Sequence, residues 1–524
     1  VIRRALALIA ALGLLATACS SSGTEPGGEP SDGSESADGE AGAADGSGSN
    51  AAERSAAPRP AVLRTVDCPL ALRVEQNTCG IAEVAADPRA AASETIEISY
   101  VVVEGSRSDA GYPLAVLQGG PGGASSDLAG WTPHREFTQV FVDQRGTGFA
   151  DGDLDCPESD GAFAEAMTLR SADAETLLLD RLAQCAQRLA GNPLFEHTTT
   201  ANQAADVISV MDALGYAEWV VYGVSYGTTI ALEIMRTPPE GLQGAVLDGV
   251  YPPDIDTEES IALSAPAALA AAGDACAADP ECPVANFDLA GTVERLIARF
   301  DETPARLDFE AYETALGEPL TAVMDGTRLA EFVFVSLYDE NWAKLAVESL
   351  TRIEQGDRDA LRGFLSTAIT ITHLQSGAIA DAAYYAVECH ERLPLHDGPG
   401  GRVGPGRSLG DSDGSTDGSS AQQRDAFAAA ILATPLADAC EPWDRPAVAD
   451  VEPVRSDLPV LTLSNDFDPI TPARLAWHAN ATLADVVHII ADGHGHGRWF
   501  SDPTIADRVD AFVADPHTAL AGSG

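Results

Sequence analysis

Hydrophobic positions along this chain follow two rhythms in alternation. Thr95 to Val103 (TIEISYVVV) repeats every second residue, as a half-buried strand does. Pro113 to Gln118 and Thr138 to Asp143 are short apolar runs, the first leading into GGPGG and the second into Gln-Arg-Gly. Ala204, Val207, Ile208, Met211 and Leu214 recur at helical spacing and predict a helix over Thr198 to Leu214, behind Thr and Asn capping candidates. Trp219 to Tyr222 then reads as a buried strand, followed by a turn, a helix from Tyr226 to Arg236 and a strand over Ala245 to Asp248. Strands separated by helices imply a parallel sheet covered on both faces. The rhythm stops at Tyr251-Pro252-Pro253 and resumes at Pro459 to Ser464 and Val486 to Ala491. Between them the chain is Ala-rich and mostly helical, with few strand signals. The predicted architecture is α/β: a sheet domain in two parts, 61–256 and 445–524, interrupted by a helical cap insertion at 257–444. Such an insertion would lie over the C-terminal edge of the sheet, where ligands of α/β proteins bind.

Two stretches carry no apolar period. Residues 20 to 60 are rich in Gly, Ser, Ala, Asp and Glu and read as a flexible tether, counted from Cys19. His396 to Gln423 has a similar composition and reads as a disordered surface loop. Ahead of the tether, Arg3 and Arg4 precede a short apolar stretch, Ala5 to Thr17, that falls short of a membrane span. This is the pattern of an export signal over 1–18. It ends in Ala16-Thr17-Ala18-Cys19, similar to a bacterial lipobox, so Cys19 is the expected lipidation site and a lipid the only expected contact with a membrane. The chain is thus expected outside the cell, anchored or free. Setting Cys19 aside leaves eight of the nine cysteines. An even number in an exported chain suggests four disulfides, and sequence neighbours pair naturally: Cys68 with Cys79, Cys156 with Cys185, Cys276 with Cys282, Cys389 with Cys440. No cysteine or histidine cluster has zinc spacing, and neither a metal nor an organic cofactor is implied. The net charge of −49 repels polyanions and excludes nucleic acid as an expected partner.

The chemistry concentrates after strand ends. Gly223-Val224-Ser225-Tyr226-Gly227 is a G-x-S-x-G elbow with an apolar strand before it and an apolar helix after it, the context that lets a serine oxygen stand exposed on a sharp turn. A serine hydroxyl is a weak nucleophile and needs a base held by a carboxylate. Asp468 follows one late strand and His496 the last, so both project from the same side of the sheet as Ser225. Asp466 and Asp248 are rival acids, and His494 a rival base. Donors for a developing oxyanion are available from the glycine run at 119–123 and from the N–H of Tyr226, the residue after the serine.

Four motifs in order, Gln118-Gly119-Gly120-Pro121-Gly122-Gly123, Asp143-Gln144-Arg145-Gly146-Thr147-Gly148, the elbow itself, and Asp468-Pro469-Ile470-Thr471-Pro472, resemble those of the proline iminopeptidase and tripeptidyl aminopeptidase-like α/β-hydrolases. The resemblance spans roughly residue 65 to the C-terminus. It implies a Ser225, Asp468, His496 triad, with Gly120 and Tyr226 serving the oxyanion, acting on the N-terminal end of peptides. The first motif departs from the commoner HGGPG: Gln118 stands in place of histidine, which leaves the backbone donors and changes what supports the loop. Glu391, after Cys389, matches an acidic position of the family and is the candidate receptor for a substrate's free amine. The substrate is thus expected to be a peptide or a small acyl compound. A non-peptide ester or amide, or binding without catalysis, are the competing functions.

Overall fold

The computed structural model describes residues 60–521, apart from 74–75, 91, 108–109, 131–134, 279–287, 398–424, 444–450 and 498–501. The expected export signal, Cys19 and the tether up to its last residue lie outside the described residues. So do the expected loop after Asp397 and the Cys282 end of the fourth disulfide.

Eleven strands are described: β1 (Val62–Val66), β2 (Asn77–Ala85), β3 (Thr95–Val103), β4 (Leu114–Leu117), β5 (Gln139–Val142), β6 (Trp219–Val224), β7 (Leu242–Asp248), β8 (Ala305–Phe309), β9 (Leu320–Met324), β10 (Ser456–Asn465) and β11 (Leu483–Ala491). Nine of them form one sheet in the order β1-β2-β3-β5-β4-β6-β7-β10-β11. The first three pair antiparallel down to the β3–β5 contact, and from β5 to β11 every pairing is parallel. Parallel strands buried on both faces should read as unbroken apolar runs, and β4, β5 and β6 are buried at every residue. Register brings the ends of the central strands level, with Leu117 opposite Gly223, Val224 opposite Asp248, and Asn465 opposite Ala491. Groups that follow those ends share one edge of the sheet.

Two apolar clusters sandwich the sheet. One joins Ala115, Val221 and Leu247 to the helices Thr200–Leu214 and Tyr226–Arg236. The other joins Val116, Tyr222 and Val246 to Pro503–Ala514, through Val509 and Phe512. Thr199 caps the helix Thr200–Leu214 by accepting from Asn202 N–H, and Gly215, in left-handed conformation, ends it.

The stretch between β7 and β10 is mainly helical, as expected, but it also holds the antiparallel hairpin β8–β9. Its own apolar core unites Ile261, Leu296, Phe334 and Leu365 with residues from much earlier in the chain: Leu154, Phe163, Leu182 and Leu189. The segment 154–195, expected with the sheet, therefore packs into the core of the insertion. The helix Thr257–Ala278 is long and apolar enough to cross a membrane. Ile261, Ala265, Leu269 and Ala272, however, are buried in that same core. Three disulfides are formed as paired by sequence neighbours: Cys68–Cys79, Cys156–Cys185 and Cys389–Cys440.

Candidate active site

The turn from β6 into the helix Tyr226–Arg236 places Ser225 at φ 56° and ψ −125°. It is the one non-glycine residue with positive φ among the described residues. A side chain in that region is strained, and such strain persists only where surrounding structure enforces it. Here a hydrogen bond from Ser225 N–H to the carbonyl of Asp248 (2.9 Å) ties the turn to the end of β7. Any Cβ at Gly223 would collide with the backbone of Gly227, and one at Gly227 with the carbonyl of Leu117, so both elbow glycines are required for the close approach of strand, helix and β4.

After β10, Asp468 turns back on its own backbone. Its Oδ1 accepts from the N–H groups of Ile470 (2.9 Å) and Thr471 (2.8 Å). Its Oδ2 accepts from Thr471 Oγ1 (2.7 Å) and faces Nδ1 of His496 at 2.7 Å. Both residues are buried, at 1% and 3% exposure, which keeps water from competing for the pair. Burial alone would push the Asp468 carboxyl up, but the imidazole and Thr471 hold it below the usual carboxylate range. Burial alone would lower the proton affinity of His496; the charge and hydrogen bond of Asp468, with the nearby Asp248 carboxylate, raise it instead. Tyr338, from the insertion, completes the setting: its carbonyl accepts His496 N–H (2.8 Å), and its ring meets the imidazole edge-on at 5.4 Å.

The rivals make other bonds, Asp248 from close to the imidazole. Asp466 Oδ1 accepts from Gly493 N–H (2.8 Å) and His494 N–H (3.1 Å), bracing the loop. The His494 ring lies toward Glu340 (3.9 Å) and Asp502 (3.4 Å). Asp248 receives the Tyr222 hydroxyl at 2.9 Å. Asp468 is the carboxylate that meets the His496 ring nitrogen in an ion-pair contact, at 2.7 Å. Their approach to the elbow is shown by Gly497, whose Cβ position lies 3.1 Å from a methyl of Val224. No hydrogen bond from Ser225 Oγ to His496 is formed among the described residues. Such bonds are commonly long in a free site and tighten in the complex.

The N–H donors of the glycine run after β4 differ in what they meet. Gly119 N–H goes to Gln118 Oε1 (2.9 Å), Gly122 N–H to Gln144 Oε1 (2.8 Å) and Gly123 N–H to the carbonyl of Gly119 (3.2 Å). Pro121 has no N–H. Gly120 N–H is left without a partner among the described residues. So is Tyr226 N–H, which as the first residue of a helix has no intrahelical acceptor. Gly119 itself touches the serine, since a Cβ there would stand 2.8 Å from Ser225 Cβ and 3.2 Å from Oγ. Two unspent donors therefore lie on the two turns that meet at the buried Ser225 side chain, an arrangement able to hold a developing oxyanion. Gln118, in place of histidine, supports the loop through its own amide, and Gln144 supplies most of the bracing. Sequence reading missed Gln144, because nothing local in Asp143-Gln144-Arg145 signals that it reaches another loop.

The Glu391 carboxylate is already bonded within the protein. It accepts from both N–H (2.7 Å) and Oγ1 of Thr200, at the start of the helix Thr200–Leu214. The Thr200 hydroxyl in turn meets the Tyr226 hydroxyl at 2.8 Å. An acid at a helix N-terminus satisfies exposed N–H groups and the helix dipole, and that structural task occupies the carboxylate expected to receive a substrate amine.

Comparison with known proteins bears on the fold. The α/β-hydrolase fold model matches residues 112–333, and the TAP-like protein model matches 425–523. Proline iminopeptidase of Neisseria meningitidis is 31% identical over 156 residues, which is 30% of this chain and 38% of that enzyme. Proline iminopeptidase of Xylella fastidiosa is 28% identical over 142 residues, 27% of this chain and 33% of that one. The chain thus matches little more than a third of the length of these relatives. A solved esterase from a Rhodococcus species covers 82% of the chain at 15% identity, with a TM-score of 0.30. The first family model spans β4 to β7 and runs on into the helical insertion, the second spans β10 and β11, and the chain has the α/β-hydrolase fold, with proline iminopeptidases and TAP-like proteins among the proteins it is similar to.

Proposed function

We propose that the protein is a serine hydrolase of the aminopeptidase type, exported from the cell, that cleaves short peptides from their N-terminal end. The observation that carries this reading is the buried Asp468–His496 pair, held at 2.7 Å beside the strained Ser225 turn. In the proposed reaction His496 Nε2 takes the proton of Ser225 Oγ as that oxygen bonds to the substrate carbonyl carbon. The electron pair moved onto the carbonyl oxygen is held by Gly120 N–H and Tyr226 N–H. The carbonyl re-forms, the C–N bond breaks, and the leaving amine takes the proton from His496. Water then repeats the sequence on the acyl-serine, with His496 again as base. Asp468 fixes the tautomer and steadies the imidazolium.

Export is supported by three disulfides, which persist in oxidising compartments. Mass spectrometry of the mature N-terminus tests it, a diacylglyceryl Cys19 being the expected result.

A fluorophosphonate probe should label the wild type and leave Ser225→Ala unlabelled. Aminoacyl and tripeptidyl anilides with free amines should be cleaved faster than their N-blocked forms and than simple esters. A folded wild type that takes no label would end the hydrolase reading. Faster turnover of esters or blocked anilides would replace the aminopeptidase reading with that of a general acyl hydrolase.

A further inference from the structure

The serine, acid and imidazole do not by themselves set the direction of Gly120 N–H. A glycine-rich loop has little conformational preference of its own, so something outside it must set the peptide planes. Gln144 does so. Its Nε2 donates to the carbonyls of Gln118 (2.9 Å) and Gly119 (2.7 Å), and its Oε1 accepts from Gly122 N–H (2.8 Å). The amide orientation is unambiguous, since the reverse would set an acceptor against two carbonyls. The peptide joining Gly119 to Gly120 is trans, and in a trans peptide the C=O and N–H point in opposite directions. Drawing the Gly119 carbonyl onto Gln144 therefore turns Gly120 N–H away from Gln144. The same grip holds two carbonyl oxygens back from the place where negative charge grows.

The mount of Gln144 is unusually stiff. Gln144 is 4% exposed. On one side Asp143 accepts from Ser126 N–H (2.7 Å) and Ser99 Oγ (2.5 Å). On the other, Arg145 makes a two-pronged ion pair with Asp206 (2.6 and 2.8 Å) and donates to the carbonyls of Ala85, Ala86 and His197. Neither neighbour touches the serine. Their shared effect is to keep the residue between them from moving.

We propose that Gln144 is a positioning residue that aims Gly120 N–H at the oxyanion, acting through the carbonyls of Gln118 and Gly119. The inference rests on the serine-hydrolase reading above. Gln144→Met keeps the shape and removes the polar atoms; Gln144→Glu keeps the acceptor for Gly122 N–H but sets a carboxylate against two carbonyls. Loss of an aimed oxyanion donor costs roughly 10²-fold in kcat. Both variants should show a fall approaching that size, with KM changed little. An amino-acid aldehyde, whose hemiacetal oxygen must enter the same hole, should lose affinity by a similar factor, while the product amino acid binds as before. A loop merely loosened would weaken both ligands together. Gln144→Asn, one methylene shorter, serves if the other two fail to fold, and should show the same split between aldehyde and product. Unchanged kcat and aldehyde affinity in any folded variant would overturn the proposal and leave the hydrolase reading standing. A wild type that takes no fluorophosphonate and turns over no anilide would instead remove the reading beneath it.

Discussion

At the scale of single residues, the acid and base make opposite statements about pH. In the proposed reaction His496 must be neutral to accept the serine proton, and Asp468 raises its proton affinity above that of a free imidazole. Activity should therefore climb with pH through a midpoint above the ordinary histidine value. Asp468→Asn removes that influence, so the rising limb should move to lower pH while kcat falls roughly 10⁴-fold. A kcat/KM profile of the variant checks both; an unmoved limb would mean that another group supplies the base. Asp143 is a second case. Burial, the dominant influence, pushes its carboxyl up to about 7 against the hydrogen bonds from Ser99 and Ser126. A carboxyl whose folded value lies above its unfolded one stabilises the protein fully below about pH 4, and that contribution drains away as pH rises through about 7. Asp143→Asn should flatten the fall in melting temperature across this interval. Thermal melts of both forms from pH 4 to 8 would reveal it, and equal slopes would count against the buried, proton-holding state.

Elements impose their own constraints. The turn at Leu337–Asp339 belongs to the insertion, yet it carries the carbonyl and the ring that hold His496. Tyr338→Ala lets water reach the imidazole, which favours its charged form, so the rising limb of activity should shift to higher pH. Tyr338→Phe should leave the profile unchanged, because the Tyr338 hydroxyl is buried and has no partner among the described residues. Cys389–Cys440 ties the segment around Glu388–Arg392 to the helix Leu436–Cys440 across a sequence separation of 51. By the chain-entropy account such a closure stabilises by roughly 4 kcal/mol. A Cys389→Ser/Cys440→Ser double variant should melt several degrees lower in a calorimeter. Which elements could be read beforehand follows from burial. The central strands β4, β5 and β6 announce themselves because both faces are covered. The Tyr226–Arg236 helix also follows from its apolar spacing. β1 is exposed or half-buried at every position, and β8 alternates as a strand does but over only five residues, so neither stands out in the sequence. Ser225, Asp468 and His496 stand out as candidates because each follows a strand end in a recognisable turn. Gln144 and the capping task of Glu391 could not, since both depend on a loop or helix distant in sequence.

For the whole molecule, 80 acidic against 31 basic residues mean that compaction works against self-repulsion. Asp155 shows this locally: burial first, then Asp153, Asp160 and Asp381, raise its carboxyl to about 6. Salt shortens the reach of such repulsion to about 10 Å at 0.1 M. Melting temperature should therefore rise between low-salt buffer and 0.5 M sodium chloride, and a fall would show that attractive ion pairs outweigh the repulsion. The shared core of Leu154–Phe195 and the helices after Thr257 bears on engineering. Anyone grafting a new lid onto this scaffold by excising only the stretch after β7 would strand Phe163, Leu182 and Leu189 without their partners. The transplantable piece is discontinuous, and a chimaera that respects it must exchange both stretches at once.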